Sequence, residues 1–146
     1  MQRLLRRIHP LLGGLAILCI ACFMVGTIVA ELSGNPLTIA ATKHTILWGL
    51  IVLIPCLAFT GLSGYQIAGK APRGLALTKF KRMRVIGING LCILVPCAFF
   101  LAFRASELKL DWLFYGVQLL ELLTGSINLL FLGMNFRDGL RMSRSR

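Results

Sequence analysis

The chain has 146 residues, of which 57% are hydrophobic and only 14% charged, and it carries a formal net charge of +11. Globular domains average roughly 45–50% apolar and about 25% charged residues, so this composition excludes a disordered chain and argues against a soluble single domain, whose core could not bury so much apolar surface. The charge alone would suit an anionic polymer such as a nucleic acid, and its distribution along the chain decides that question.

Four apolar runs come near the roughly 20 residues that cross a hydrocarbon layer about 30 Å thick: Leu11–Ala30, Ile46–Ile67, Val85–Phe103 and Trp112–Phe136. Backbone polar groups in lipid must be satisfied within the element, so the runs predict helices rather than strands. The expectation is an all-α, integral membrane four-helix bundle forming one domain over residues 1–146. Met1–Arg7 followed by an apolar run has the layout of a secretory leader, but the run is of full membrane length and no small-residue cleavage site follows. It is read as the first transmembrane helix.

Lys and Arg sort by side. Arg3, Arg6 and Arg7 precede the first helix, Lys70, Arg73, Lys79, Lys81, Arg82 and Arg84 fall between the second and third, and Arg137, Arg141, Arg144 and Arg146 follow the fourth; only Lys43, Arg104 and Lys109 fall on the other side, with Glu31, Glu107 and Asp111 to balance them. The positive-inside rule then puts both termini and the middle connection in the cytoplasm, stroma or matrix. Clusters that flank membrane spans and lack interleaved aromatics are an orientation signal, which excludes nucleic acid as a partner. The connections Glu31–Thr45, Ala68–Arg84 and Arg104–Asp111 are short enough to make successive helices antiparallel neighbours.

Helical periodicity gathers Gly49, Cys56, Thr60 and Gly64 on one face of the second helix, and Gly87, Gly90 and Cys97 on one face of the third. Small residues let helix backbones approach closely in lipid, so these stripes read as packing surfaces. Cys19, Cys22, Cys56, Cys92 and Cys97 all fall at membrane depth. Cys19-x-x-Cys22 has a redox-like spacing, but thiols in hydrocarbon behave as small hydrophobes, and packing is the expected role.

The fourth helix carries Gln118, Glu121, Gly125 and Asn128 on one continuous face, and Asn89 lies in the third. A glutamate at membrane depth is costly when charged. Its functional readings are a proton or cation site, as in a small proton-coupled transporter, or a cofactor ligand. Its structural reading is a protonated Glu121 hydrogen-bonded to Asn89, Gln118 or a neighbouring subunit.

His9 and His44 each open a helix and are each followed by a glycine five residues on, Gly14 and Gly49. An imidazole nitrogen is a good axial ligand, and a glycine one turn away leaves room for a flat macrocycle against the helix. The expected topology sets the two histidines at opposite membrane faces, about 30 Å apart, so they cannot share one haem within a monomer. Each would serve a separate tetrapyrrole or be an ordinary interfacial residue.

Arg7-Ile8-His9-Pro10-Leu11-Leu12-Gly13-Gly14, His44-Thr45-Ile46-Leu47-Trp48-Gly49-Leu50 and Arg84-Val85-Ile86-Gly87-Ile88-Asn89 together resemble an uncharacterised family of small multi-helix membrane proteins found mainly in cyanobacteria and plastids, whose helices are similar in style to those of cytochrome b561. The likeness spans Arg7 to Arg104; in that family the third helix opens with a basic residue and then His-Ile-Gly-Leu-Asn, where this chain has Val85. The resemblance implies a small subunit or accessory factor of an energy-converting complex, photosynthetic or respiratory, in a bacterial inner membrane or thylakoid. Its partners would be lipids and other transmembrane subunits. It further implies a haem or chlorophyll, or a quinone, held through His9 and His44 singly rather than as a two-histidine pair. No triad spacing or nucleotide-binding loop marks a free-standing enzyme. The alternative is a purely structural or assembly subunit with no cofactor.

Overall fold

The computed structural model describes residues 2–69 and 73–144; Lys70 and Pro72 of the middle connection and Arg146 at the terminus lie outside the described residues. Among the described residues the chain is helical throughout, as α1 (Gln2–Leu32), α2 (Pro36–Ala68), α3 (Leu75–Asn89), α4 (Val95–Ser106) and α5 (Trp112–Arg144). A π-helical turn, Gly90–Leu94, joins α3 to α4 without breaking the rod. Four segments are long and apolar enough to cross a membrane: Arg7–Leu32, Pro36–Ile67, Leu75–Ser106 and Trp112–Arg141. That pattern is compatible with a multi-pass membrane protein.

The helices outrun their apolar runs at nearly every end, because a helix continues while its backbone bonds propagate, whether or not its side chains are apolar. The first connection shrinks the most. Asn35 accepts the Leu37 N–H through Oδ1 at 2.9 Å, and Pro36 occupies the first helical turn, so α2 starts ten residues before Ile46. Gly34, with φ of +62°, supplies the reversal that closes α1. Lys43 and His44, expected in a connection and at a helix opening, therefore stand two turns inside α2. Glu31, also assigned to that connection, belongs to the last turn of α1. Likewise most of the expected connection Ala68–Arg84 is the first ten residues of α3.

The π turn has a local cause. Pro96 has no N–H and its ring would crowd the carbonyl four residues back; widening the turn lets Val95 N–H bond Gly90 O instead and carries the helix past the proline.

The four rods form a ring in chain order. α1 packs most extensively on α2, α2 on α4, α3 and α4 on α5, and α5 closes back on α1; α2 and α5 face each other across the diagonal. The main core gathers Ala16, Ile20, Ile46, Leu50, Leu53, Ile86, Ala98 and Leu132, and a second cluster around Leu101, Ala105 and Phe114 sits at the end away from the termini. Trp48, Phe59, Leu130 and many other large apolar side chains face outward, whereas Lys43, Gln118, Asn128 and Asp138 are buried. An apolar exterior with polar side chains buried among the helices is compatible with a lipid surround.

Asp111 closes the end opposite the termini. Its Oδ1 accepts the Phe114 N–H at 3.1 Å, capping α5, while Oδ2 accepts from Arg104 of α4. The Arg104 guanidinium, helped by the Phe114 N–H, holds the Asp111 carboxyl below the usual carboxylate range. A group lowered on folding stabilises above its ordinary range and loses that contribution as pH falls through its folded value. Wild type and Asp111→Asn should therefore differ in unfolding midpoint at neutral pH and begin to converge only below about pH 4, the difference vanishing once pH is below the lowered folded value, measured by circular dichroism in detergent.

Candidate functional site

α5 carries the polar face that joins the bundle. The run Gln118, Glu121, Gly125, Asn128 continues through Asn135 to Asp138, and every polar member turns toward the other helices. The face divides into three layers rather than forming one connected group.

At the end opposite the termini, Gln118 Nε2 donates to Glu31 Oε1 of α1 at 2.7 Å. One turn deeper, Lys43 Nζ donates to Glu121 Oε2 at 2.7 Å and lies 3.4 Å from Thr27 Oγ1. Lys43 is 2% exposed and Glu121 14%. Since α2 and α5 stand on the diagonal, the lysine stem spans the middle of the bundle, and one ammonium holds α1, α2 and α5 together. A charge at that depth persists only with a partner. The expectation that Glu121 would be a protonated acid bonded to Asn89, Gln118 or another subunit is corrected: its partner is Lys43, which the sequence reading had placed outside the membrane.

The second layer pairs Asn89 and Asn128. Asn89 Nδ2 donates to Asn128 Oδ1, and Asn128 Nδ2 donates to Ile86 O, each at 3.3 Å. Asn128 is fully buried, so both halves of its amide are used where no water reaches. The third layer, at the end holding the termini, joins Arg82 of α3 to Asp138 at 2.7 Å and Asn135 Nδ2 to Lys79 O at 3.3 Å.

The histidines separate. His9 turns inward, with Nδ1 2.9 Å from Ser63 Oγ of α2. Ser63 Oγ also reaches Phe59 O at 2.6 Å, and the tautomer with the proton on His9 Nδ1 satisfies both contacts at once. His44 is exposed on the outward face of α2, one turn from the exposed Trp48. From His44 to Ser63 is nineteen residues of α2, about 28 Å at 1.5 Å per residue, so the two imidazoles stand at opposite ends of the bundle.

The room expected beside each histidine is taken by this chain's own rings. A Cβ on Gly49 would stand 2.3 Å from the ring of Phe23, and one on Gly14 would meet Phe136. A Cβ on Gly64 would stand 3.2 Å from His9 Cε1, so that glycine seats the imidazole itself. A cavity of about 60 Å³ lies between Phe23, Met24 and Thr27 of α1, Leu50 of α2, and Glu121 and Gly125 of α5. That volume is room for a few waters, whereas pockets for organic ligands run to roughly 300–1,000 Å³.

Cys56 and Cys97 are buried, as packing predicts, but Cys22 and Cys92 face outward, and all five thiols are free. Among the described residues no group of three or more His, Cys, Asp or Glu gathers to hold a metal ion. Lys43, Glu31, Thr27, Ser63, Arg82 and Asp138 were not singled out from sequence. Asn35-Pro36 was the available signal for the first of these: read as a cap and first turn, it starts α2 early enough to carry Lys43 inside. Comparison of the chain with protein-family models, curated proteins and solved structures finds no match.

The Lys43–Glu121 pair predicts a strong double-mutant coupling. Lys43→Met alone strands a carboxylate and should cost about 3 kcal/mol, while Lys43→Met with Glu121→Leu should recover most of that loss. Unfolding by denaturant in detergent micelles measures both.

Proposed function

We propose that this chain is a small integral membrane subunit or accessory factor of a larger membrane complex, oriented with its basic end toward the cytoplasm, stroma or matrix. The observation that carries the reading is a set of glycines left open by the bundle itself. Gly87 and Gly90 beside the π turn, and Gly116 and Gly133 on α5, have nothing within 4 Å of the position a Cβ would take. Glycine weakens a helix by about 1 kcal/mol relative to alanine, and in lipid its use is to admit another backbone. The glycines that pack within the chain, Gly49 and Gly64, each seat a ring; the open ones have no such role inside it. The energy-converting character of the complex rests on the resemblance of the His-x4-Gly helix openings.

A second reading keeps a tetrapyrrole, and His44 favours it. With His9 bonded to Ser63, His44 is the histidine whose imidazole is open, and it faces the lipid side, where a haem or chlorophyll would lie between this chain and a partner. The same surface would serve a purely structural subunit without a cofactor.

Gly87→Ala with Gly90→Ala should leave the isolated bundle melting no lower than wild type, because each added Cβ meets nothing within 4 Å and alanine is the better helix former, and should abolish stoichiometric co-purification with the parent complex in mild detergent. Retained co-purification would overturn the glycine interface. If His44 holds a tetrapyrrole, the wild-type complex shows a Soret or chlorophyll band that His44→Ala removes; a colourless complex rules the pigment out.

A further inference from the structure

The end of the bundle that holds the termini carries more cations than it can pair. Of the chain's five acidic side chains only Asp138 lies there. Arg82 of α3 stands 2.7 Å from its Oδ2 and Arg137 4.0 Å from its Oδ1, and Lys79 and Arg141 are close enough to feel its charge. Four cations of α3 and α5 therefore share one carboxylate. Lys79 is half-buried and, among the described residues, has no carboxylate within 4 Å. Cations at the edge of an apolar bundle are costly without a counter-charge, so the cluster calls for an anion.

An apolar strip begins where the cations end. Arg141, Arg137, Met134, Leu130, Ile127 and Leu123 follow one another at steps of four and three along one face of α5, and all are exposed. From Leu123 to Met134 the strip runs about 16 Å at 1.5 Å per residue, roughly half of a hydrocarbon layer about 30 Å thick. It has the length of acyl chains in one leaflet, with guanidinium groups at its headgroup end. An inorganic anion would meet the cations and leave the strip unused, as would a nucleic acid or an acidic peptide.

We propose that this edge of α5 binds one anionic phospholipid, its headgroup phosphate held by Arg137 and Arg141 and its acyl chains laid along Met134, Leu130, Ile127 and Leu123. A guanidinium presents a fork of N–H donors that matches two phosphate oxygens. Arg82 is engaged by Asp138, whereas Arg137, at 4.0 Å, lies beyond hydrogen-bond distance of that carboxylate and keeps its donors free. Asp138 is buried behind its bond to Arg82, so its charge does not repel the phosphate. Lys79 adds attraction from the α3 side. A phosphatidylcholine headgroup brings a cation of its own, which the cluster repels, so the site discriminates by net headgroup charge. Lys81 and Arg84 take no part, since they stand on the exposed face of α3, away from the face that Lys79 and Arg82 turn to α5.

Native mass spectrometry of the full chain in detergent micelles, titrated with dioleoyl phosphatidylglycerol or dioleoyl phosphatidylcholine, tests this without any partner, so its outcome is separate from that of the subunit reading. One phosphatidylglycerol should be retained per chain, and phosphatidylcholine should bind about tenfold more weakly. Arg137→Gln with Arg141→Gln should abolish that preference. Lys81→Gln with Arg84→Gln removes the same charge from the other face of α3 and should leave the preference intact. No preference in the wild type, or an equal loss in the two variants, would overturn the site in favour of a diffuse basic field. Displacement of the lipid by an equimolar amount of inorganic phosphate would overturn it in favour of a free-anion site.

Discussion

Lys43 reaches Glu121 across the diagonal of the bundle, and the remaining architecture can be understood from what that contact demands. An ammonium and a carboxylate in an apolar medium must stay together, so α2 and α5, which do not pack side by side, are held at a fixed separation by one extended side chain. Thr27 brings α1 into the same point. Around that layer the core is apolar, with a few polar side chains buried in it, and the surface carries many large apolar side chains.

α5 is the element through which this works. Its inward face supplies Gln118 and Glu121 near one end, Asn128 in the middle and Asn135 with Asp138 near the other, each matched by a group on α1, α2 or α3. Hydrophobic attraction between helices disappears in lipid, so register must come from such bonds and from close packing. The packing is correspondingly specific: Phe23 lies on the backbone of Gly49, His9 lies on Gly64, and the π turn before Pro96 leaves Asn89 in reach of Asn128. The Phe23 contact gives Gly49, a His-x4-Gly glycine, a packing role within the chain.

The residue classes differ in how far their role is set locally along the chain. The four apolar runs marked the four rods because hydropathy over some twenty residues is an additive property that needs no knowledge of neighbours. Periodicity placed Gln118, Glu121 and Asn128 on one face of α5 for a similar reason, since the angular position of a side chain around a helix follows from its number alone. Partners were another matter. Glu121 could be seen to need one, but Lys43 was counted among the loop charges, because the apolar run began at Ile46 whereas the helix begins at Pro36. His9 and His44 looked alike in sequence and differ in the fold, one turned onto Ser63 and the other outward.

Composition, run length and a 3.6-residue period act locally, so the four helices, apolar enough to be compatible with a membrane, and the polar face of α5 were legible along the chain. That Lys43 is an interior residue bound to Glu121, that Phe23 and His9 fill the glycine notches, and that Gln118 holds Glu31 with one oxygen left over emerged from the packing of the rods. Each of those depends on two residues far apart in the chain meeting at a distance of a few ångströms, and whether they meet is set by how the rods are arranged around one another.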